Sequence, residues 1–442
     1  VTQPIDSLIF SRWLAPVNAN QTVHEHFGVA IDKGKIVALD SQETLQQKFV
    51  AKNTYDLSDH LLVPGFVNSH THAAMNLLKG YSDDLPLMEW LQNHIWPAEA
   101  KLMSDEFVYQ GTQLAIAEMI KSGTTCFNDM YFMPNKAAQA AINHSMRAVI
   151  GLTIIEFPTA WAKDAEEYLH KGLAVYDEFK GENLVSFSLA PHAPYTVSDE
   201  TLQKIATLSN QLDIGIHMHV HETEHEVNES IDKHGERPLA RLHQLGLLSP
   251  SFQAVHMTSI NDDDLKLVKD NGVHVMHCPE SNMKLASGFS PIAQFQRSNI
   301  NIALGTDGCA SNNDLDMIGE MRSAALLAKV TAGDASCFSA HDALHAATLG
   351  GAKALGLESV CGSIEVGKAA DLCAINLNHI ATQPVTDPVS QLVYAASRDQ
   401  VSHVWTSGKL QLNDGEFTDI QYNDLLNIIE HWQARMRKEL NH

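Results

Sequence analysis

His70 and His72 stand one residue apart at the end of an apolar run, Leu61-Leu62-Val63-Pro64-Gly65-Phe66-Val67. In a strand, residues i and i+2 share a face, so the two imidazoles aim at one point. Imidazole is the commonest side-chain metal ligand, which makes the pair a candidate clip for a divalent cation. Many His-x-His pairs hold nothing, so further ligands decide the matter. Other apolar runs also end in polar groups: Pro191-His192, His217-Met218-His219-Val220-His221-Glu222, Val255-His256, His277-Cys278-Pro279-Glu280-Ser281-Asn282 and Gly305-Thr306-Asp307-Gly308. A metal site needs three or four converging ligands. His70, His72, one histidine of the 217–221 run and Asp307 supply them. His217, His219 and His221 have the same parity. His219 is the choice because its strand-end position matches that of His72; His217 falls a layer deeper and His221 in the following loop. A second metal would need a bridging group, such as a modified lysine, where the fourth run ends. His192 stands there, so one metal per subunit is expected. Imidazole and carboxylate accept iron or manganese as well as zinc.

The elements that must position these groups follow a strand–helix rhythm. Strands are expected at 61–69, 124–128, 147–154, 184–190, 213–219, 252–256, 272–277 and 300–305. Helices are expected between and after them, at 106–121, 134–144, 162–179, 200–212, 238–245, 262–270, 291–296 and 315–330. Ser198 and Asn261 precede acidic first turns, as N-caps do. Gly123, Gly246 and Gly272 sit just past helix ends. Eight alternations predict an α/β fold, a (β/α)8 barrel whose chemistry lies at the carboxyl ends of the strands. An open doubly wound sheet is the alternative, disfavoured because no Gly-x-Gly-x-x-Gly turn follows any strand. Residues 1–64 read as short strands and turns. After a helix at 341–355 the chain regains β character, and it ends in an amphipathic helix near 422–440. The simplest arrangement packs 1–64 with 362–442 as one small domain beside a barrel spanning 65–361.

The chain has 442 residues, 44% hydrophobic and 19% charged, with a formal charge of −23. Such an acidic surface repels phosphate backbones and anionic lipid, so neither nucleic acid nor membrane is an expected partner. No apolar stretch approaches the roughly 20 residues of a membrane span. The first residues show no basic stretch leading into an apolar one, so no signal peptide is expected. Six cysteines lie scattered without paired spacing. They predict reduced thiols in a cytoplasmic protein.

The sequence resembles the amidohydrolase superfamily. Within it, the resemblance is to the deaminases of 5′-methylthioadenosine and S-adenosylhomocysteine, related to the triazine chlorohydrolases. The marks are Pro64-Gly65-Phe66-Val67-Asn68-Ser69-His70-Thr71-His72, His219-Val220-His221-Glu222, His277-Cys278-Pro279-Glu280-Ser281-Asn282, Gly305 to Asn313 and Gly367-Lys368-Ala369-Ala370-Asp371-Leu372. The resemblance implies a metal-dependent hydrolase barrel, a composite β-sandwich from the two chain ends and a homo-oligomer. It implies a zinc ion on His70, His72, His219 and Asp307. It assigns Glu222 as proton shuttle and Glu99 as the clamp on ribose hydroxyls. His192 would touch substrate, and His256 the attacking water or the leaving amine.

The chemistry expected is hydrolytic deamination of an adenine nucleoside, with release of ammonia and the inosine analogue. Asp307 would be both ligand and proton acceptor. Glu222 would protonate ring nitrogen N1 and then the departing amine. His256 would stabilise the tetrahedral centre. Trp90, Trp96 and Met130 are candidates to wall the purine, although such residues are often plain core. Cys278 and Cys309 read as packing. The loop after the third barrel strand, Glu156 to Lys163, carries apolar Phe157, Pro158 and Trp161 and no arginine. That suits a methylthio group better than an amino-acid carboxylate, so 5′-methylthioadenosine is the expected substrate, ahead of S-adenosylhomocysteine or adenosine. The alternatives are guanine or triazine deamination or dechlorination, and a metal-free scaffold that has lost catalysis.

Overall fold

The computed structural model describes residues 2–18 and 22–440. The strands are β1 (Gln3–Leu14), β2 (His24–Asp32), β3 (Lys35–Ser41), β4 (Phe49–Pro64), β5 (Phe66–Thr71), β6 (Thr124–Tyr131), β7 (Arg147–Ile154), β8 (Val185–Pro191), β9 (Gly215–Val220), β10 (Phe252–His256), β11 (His274–His277), β12 (Ile302–Leu304), β13 (Leu372–Asn376), β14 (Val401–Thr406), β15 (Lys409–Asn413) and β16 (Glu416–Phe417). Among the described residues they form two eight-stranded sheets. One is wholly parallel and follows chain order from β5 to β12. The other mixes the two chain ends in the order β16-β15-β14-β13-β4-β1-β2-β3.

The parallel sheet curls until its last strand meets its first. The Asp307 N–H donates to the His70 carbonyl at 3.0 Å. The Asn68 amide makes two bonds to Thr306: its Nδ2 donates to Oγ1 at 2.7 Å, and its Oδ1 accepts the Thr306 N–H at 3.0 Å. This seam closes a nearly complete (β/α)8 barrel, as the rhythm of apolar runs predicts. Strands β6 and β7 are buried along their whole length. Helices cover the outer face of the barrel and side chains fill its interior, so its strands read as continuous apolar runs.

The expected strand 61–69 is two strands. Residues up to Pro64 finish β4 in the mixed sheet, and β5 opens the barrel at Phe66. Gly65 is the junction; it lies against the Thr125 side chain with no room for a Cβ. An unbroken apolar run conceals such a change of sheet, since both halves are buried. The expected helix at 341–355 begins at Ala340 and passes through a wide π-type turn at Ala346–Gly350. The C-terminal helix Tyr422–Leu440 anchors through Trp432, which packs edge-on against Phe107 and donates from Nε1 to Gln110 at 2.7 Å.

The Gly367–Leu372 motif joins the two sheets. Arg147, at the start of β7, donates from Nε to Asp371 Oδ2 at 2.7 Å. Asp371 also accepts the Ser407 N–H at 2.6 Å. Arg147 and Asp371 are 5% and 1% exposed, so neither can turn to water. Removing one partner leaves the other buried and unpaired. Asp371→Ala is expected to lower unfolding free energy by about 3–5 kcal/mol. Urea denaturation would measure this; a variant within about 1 kcal/mol of the parent would refute the buried-pair argument.

Candidate active site

Every expected metal ligand stands at the carboxyl end of the barrel. His70 lies in β5 and His72 one residue past its end, His219 lies in β9, and Asp307 follows β12. One donor atom from each lies within 4.8 Å of all the others. His70 Nε2 and His72 Nε2 are each 3.2 Å from Asp307 Oδ1.

The outward nitrogens show why this set fits a cation. His72 Nδ1–H donates to the Met130 carbonyl at 2.5 Å, and His219 Nδ1–H to the His192 carbonyl at 2.8 Å. A carbonyl only accepts, so the proton must sit on Nδ1 and the Nε2 lone pair faces the centre. His70 Nδ1 is held by His217 Nε2 at 2.8 Å, while its buried Nε2 has no hydrogen-bond partner. Three imidazole nitrogens and a carboxylate oxygen converge there. Asp307 is held from behind by the hydroxyls of Ser281 (2.6 Å) and Ser311 (2.9 Å) on Oδ2.

Electrostatics agree. Burial alone would favour a neutral Asp307, but the adjoining His70 and His72 imidazoles outweigh it and hold the carboxyl well below its ordinary value. Burial pushes His219 well down and His70 to about 4, so both are neutral and ready to ligate. His72 differs: burial lowers it, yet Asp307 more than offsets this and raises it to about 9. A bound cation takes the place of that proton. The choice among the β9 histidines also has a clear geometry. His217 lies beneath the centre against His70. His221 turns away at φ 55, donating from Nδ1 to the Ser259 carbonyl at 2.8 Å.

A cavity of about 550 Å³ opens above the cluster. Its lining includes His72, His192, His219, Glu222, His256 and Asp307, with Trp90, Trp96, Met130, Phe157 and Pro158 among its walls. Glu222 is 7% exposed, and burial raises its carboxyl above the ordinary value. Its Oε1 accepts from Ser287 at 3.3 Å, and its Oε2 lies 3.7 Å from His256 Nε2. His256 stacks on His219 with centroids 5.4 Å apart, its Nδ1 held at 2.8 Å from Asn282 Oδ1. His192 approaches Thr196 Oγ1 at 3.2 Å through Nδ1, and burial lowers it to about 3.

Glu99 also faces this cavity, from the helix Trp96–Leu102. Burial raises it to about 7, and Tyr131 donates its phenol proton to Oε1 at 2.7 Å. Trp161 and Lys163 are not among the lining residues, whereas Thr159 and Ala160 are. So the third loop contributes Phe157 and Pro158 but not the expected Trp161. Cys278 and Cys309 are buried thiols pushed well up by burial, in keeping with packing.

Sequence reasoning missed Tyr131 and Asp129 as partners of the site, whereas Asn282, within the 277–282 motif, holds His256 Nδ1. Asp129 accepts the Ala73 N–H at 2.7 Å, fixing the turn just after His72. The available signal was modest: both Asp129 and Tyr131 stand at the end of the second apolar run.

A barrel with such a cluster at its carboxyl end is that of a metal-dependent hydrolase. A profile described as the amidohydrolase family matches residues 61–411. A 5-methylthioadenosine/S-adenosylhomocysteine deaminase from Saccharophagus degradans is 44% identical over 99% of this chain and 98% of its own. A crystal structure of an adenosine deaminase from Xanthomonas campestris with bound zinc superposes with a TM-score of 0.98. It shares 47% identity over 99% of this chain and 100% of the other. An atrazine chlorohydrolase from Arthrobacter aurescens, complexed with zinc, has a TM-score of 0.90 at 20% identity over 96% of this chain and 99% of its own, which speaks to the fold alone. The chain belongs to the amidohydrolase family.

Proposed function

We propose that this protein is a zinc-dependent hydrolytic deaminase of adenine nucleosides, with 5′-methylthioadenosine preferred. One observation carries the reading: His72, His219 and Asp307 of the four-residue cluster, with the buried Glu222 and Glu99, all face one apolar-walled cavity. The relatives named above support it.

When bound, zinc lowers the pKa of water to about 7 and so provides a nucleophile at neutral pH. The rest falls to side chains. Asp307 takes the proton of the attacking water. Glu222, whose carboxyl is raised by burial, delivers its proton to N1 as C6 becomes tetrahedral; the resulting carboxylate then takes the remaining proton of the C6 hydroxyl and passes it to the amine as the C6–N bond breaks and ammonia leaves, and the proton on Asp307 restores Glu222. His256, aimed by the Asn282 contact on its Nδ1, faces the tetrahedral centre with Nε2 and stabilises it. His192 and Trp90 bound the substrate. Glu99 keeps Oε2 for the ribose diol, since Tyr131 occupies Oε1. Among the described residues, no lysine or arginine lines the cavity. The carboxylate of S-adenosylhomocysteine would find no cation there, whereas a methylthio group suits Phe157 and Pro158.

Loss of the adenine absorbance band on mixing with 5′-methylthioadenosine, with stoichiometric ammonia, tests the proposal. Activity confined to guanine or triazines would reject it. The diol clamp has its own test. Charged hydrogen bonds contribute about 1.5–3 kcal/mol, so Glu99→Ala should raise KM roughly 10- to 100-fold. A free-base reaction would be spared. Because Glu99 is raised to about 7, it is protonated below that pH. Its accepting oxygens are therefore fully available only above it, so KM should fall as pH rises through about 7. A KM limb that persists in the Ala variant would assign it to another group.

A further inference from the structure

The loop that carries Glu222 is held from two sides by groups outside the proposed chemistry. Strand β9 ends at Val220, and the helix Glu224–His234 begins after its N-cap Thr223. Between them His221 takes a left-handed φ of 55, a conformation that side-chain-bearing residues adopt at a cost.

The helix places Glu226 at its third position, where a capping-box glutamate accepts the N–H of the N-cap residue itself. Here the carboxylate reaches further back. Oε1 accepts the His221 N–H at 2.9 Å and Oε2 the Glu222 N–H at 2.8 Å. The Thr223 hydroxyl completes the cap by accepting the Glu226 N–H at 3.1 Å. The opposite side of the loop is also tied. The Thr258 and Ser259 N–H groups donate to the His221 carbonyl at 3.0 and 3.2 Å, and Thr258 Oγ1 donates to the Glu222 carbonyl at 2.7 Å. Leu239 N–H donates to His221 Nε2 at 3.1 Å.

Glu226 is 6% exposed. Among the described residues it has no cationic partner within ion-pair distance. Burying such a group is unfavourable unless its oxygens are satisfied, and two peptide N–H groups satisfy them. A neutral residue would cap the helix at less expense. What only a bidentate acceptor can do here is pin two successive peptide units, those of His221 and Glu222.

We infer that Glu226 is a positioning residue for Glu222, fixing the peptide from which the proton-shuttling carboxylate projects. The inference rests on the shuttle role proposed above. A misplacement of about 1 Å can slow a reaction roughly 100-fold.

The test is steady-state kinetics on the zinc-loaded protein with 5′-methylthioadenosine. Glu226→Gln keeps the side-chain size but offers one acceptor oxygen, and its amide N–H₂ then faces a peptide donor. Its kcat should fall about 10- to 100-fold while KM moves less than about 3-fold and zinc content is unchanged. Added to Glu222→Gln, it should lower kcat no more than about 2-fold further, because coupled residues are not additive. Thr258→Val, which loosens the same loop from the other side, should reduce kcat in the same direction and serves if Glu226→Gln does not fold. Parental kcat in Glu226→Gln beside a crippled Glu222→Gln would overturn the inference, as would a loss confined to KM or to metal content. A fully active Glu222→Gln would overturn the shuttle role and this inference with it, a separable result.

Discussion

Glu222→Gln is expected to lower kcat for 5′-methylthioadenosine by about 10²- to 10⁴-fold, the range for losing a positioned proton-transfer group. The amide has the same shape and keeps an oxygen toward Ser287, so packing should survive. It has no proton to deliver to N1 and cannot accept one for the departing amine. Glu222 is three residues beyond His219 and contributes no donor to the ligand cluster, so metal content should stay at the parental level. KM should change little, because the lost interaction develops during reaction. Parallel rate and metal measurements check this. Undiminished kcat with full metal would remove Glu222 from the mechanism, and the role would pass to His256.

Loss of a ligand should be still more damaging. His219→Ala deletes one of the three imidazole donors while its neighbours stay fixed by Met130 and His217. Activity should fall by on the order of 10³-fold or more, since the lowering of water's pKa from about 15.7 to about 7 is the source of the nucleophile. A chelator should reproduce the loss in the parent, and added zinc should restore the parent but not the variant. Elemental analysis alongside rates decides the matter. A chelated protein that keeps its activity would exclude metal-assisted hydrolysis.

Much of the ligand cluster was legible because its information is local. A barrel strand buried on both faces reads as an apolar run, and a polar residue at its end stands out. His70, His72, His192, His219, His256 and Asp307 were all visible in this way. Parity alone could not separate His217, His219 and His221. The distinction arises because β9 stops at Val220 and His221 turns left-handed, which swings its ring out of line. Contacts formed across the fold were not legible. Tyr131 meets Glu99 across 32 residues, and Asn282 meets His256 across 26. Glu226 has no local signal that sets it apart from Glu224 and Glu229, because its burial depends on how its helix lies against the barrel. The composite sheet was only partly readable. Its longest strand, β4, carries Lys52, Asn53 and Thr54 on exposed positions, and polar alternation there resembles a loop.

The barrel seam carries a consequence for the life history of the chain. Asn68 and Thr306 are 238 residues apart, and their bonds lie beside His70 and Asp307. Bringing such distant segments together is an entropically demanding closure. A cation gripped by both sides of that junction acts as a buckle, added after the ring has formed and resisting its reopening. The metal is thus expected to govern resistance to breathing as well as turnover. On its removal, amide exchange should quicken first at 66–71 and 304–308, and a uniform change across all the strands would contradict the buckle.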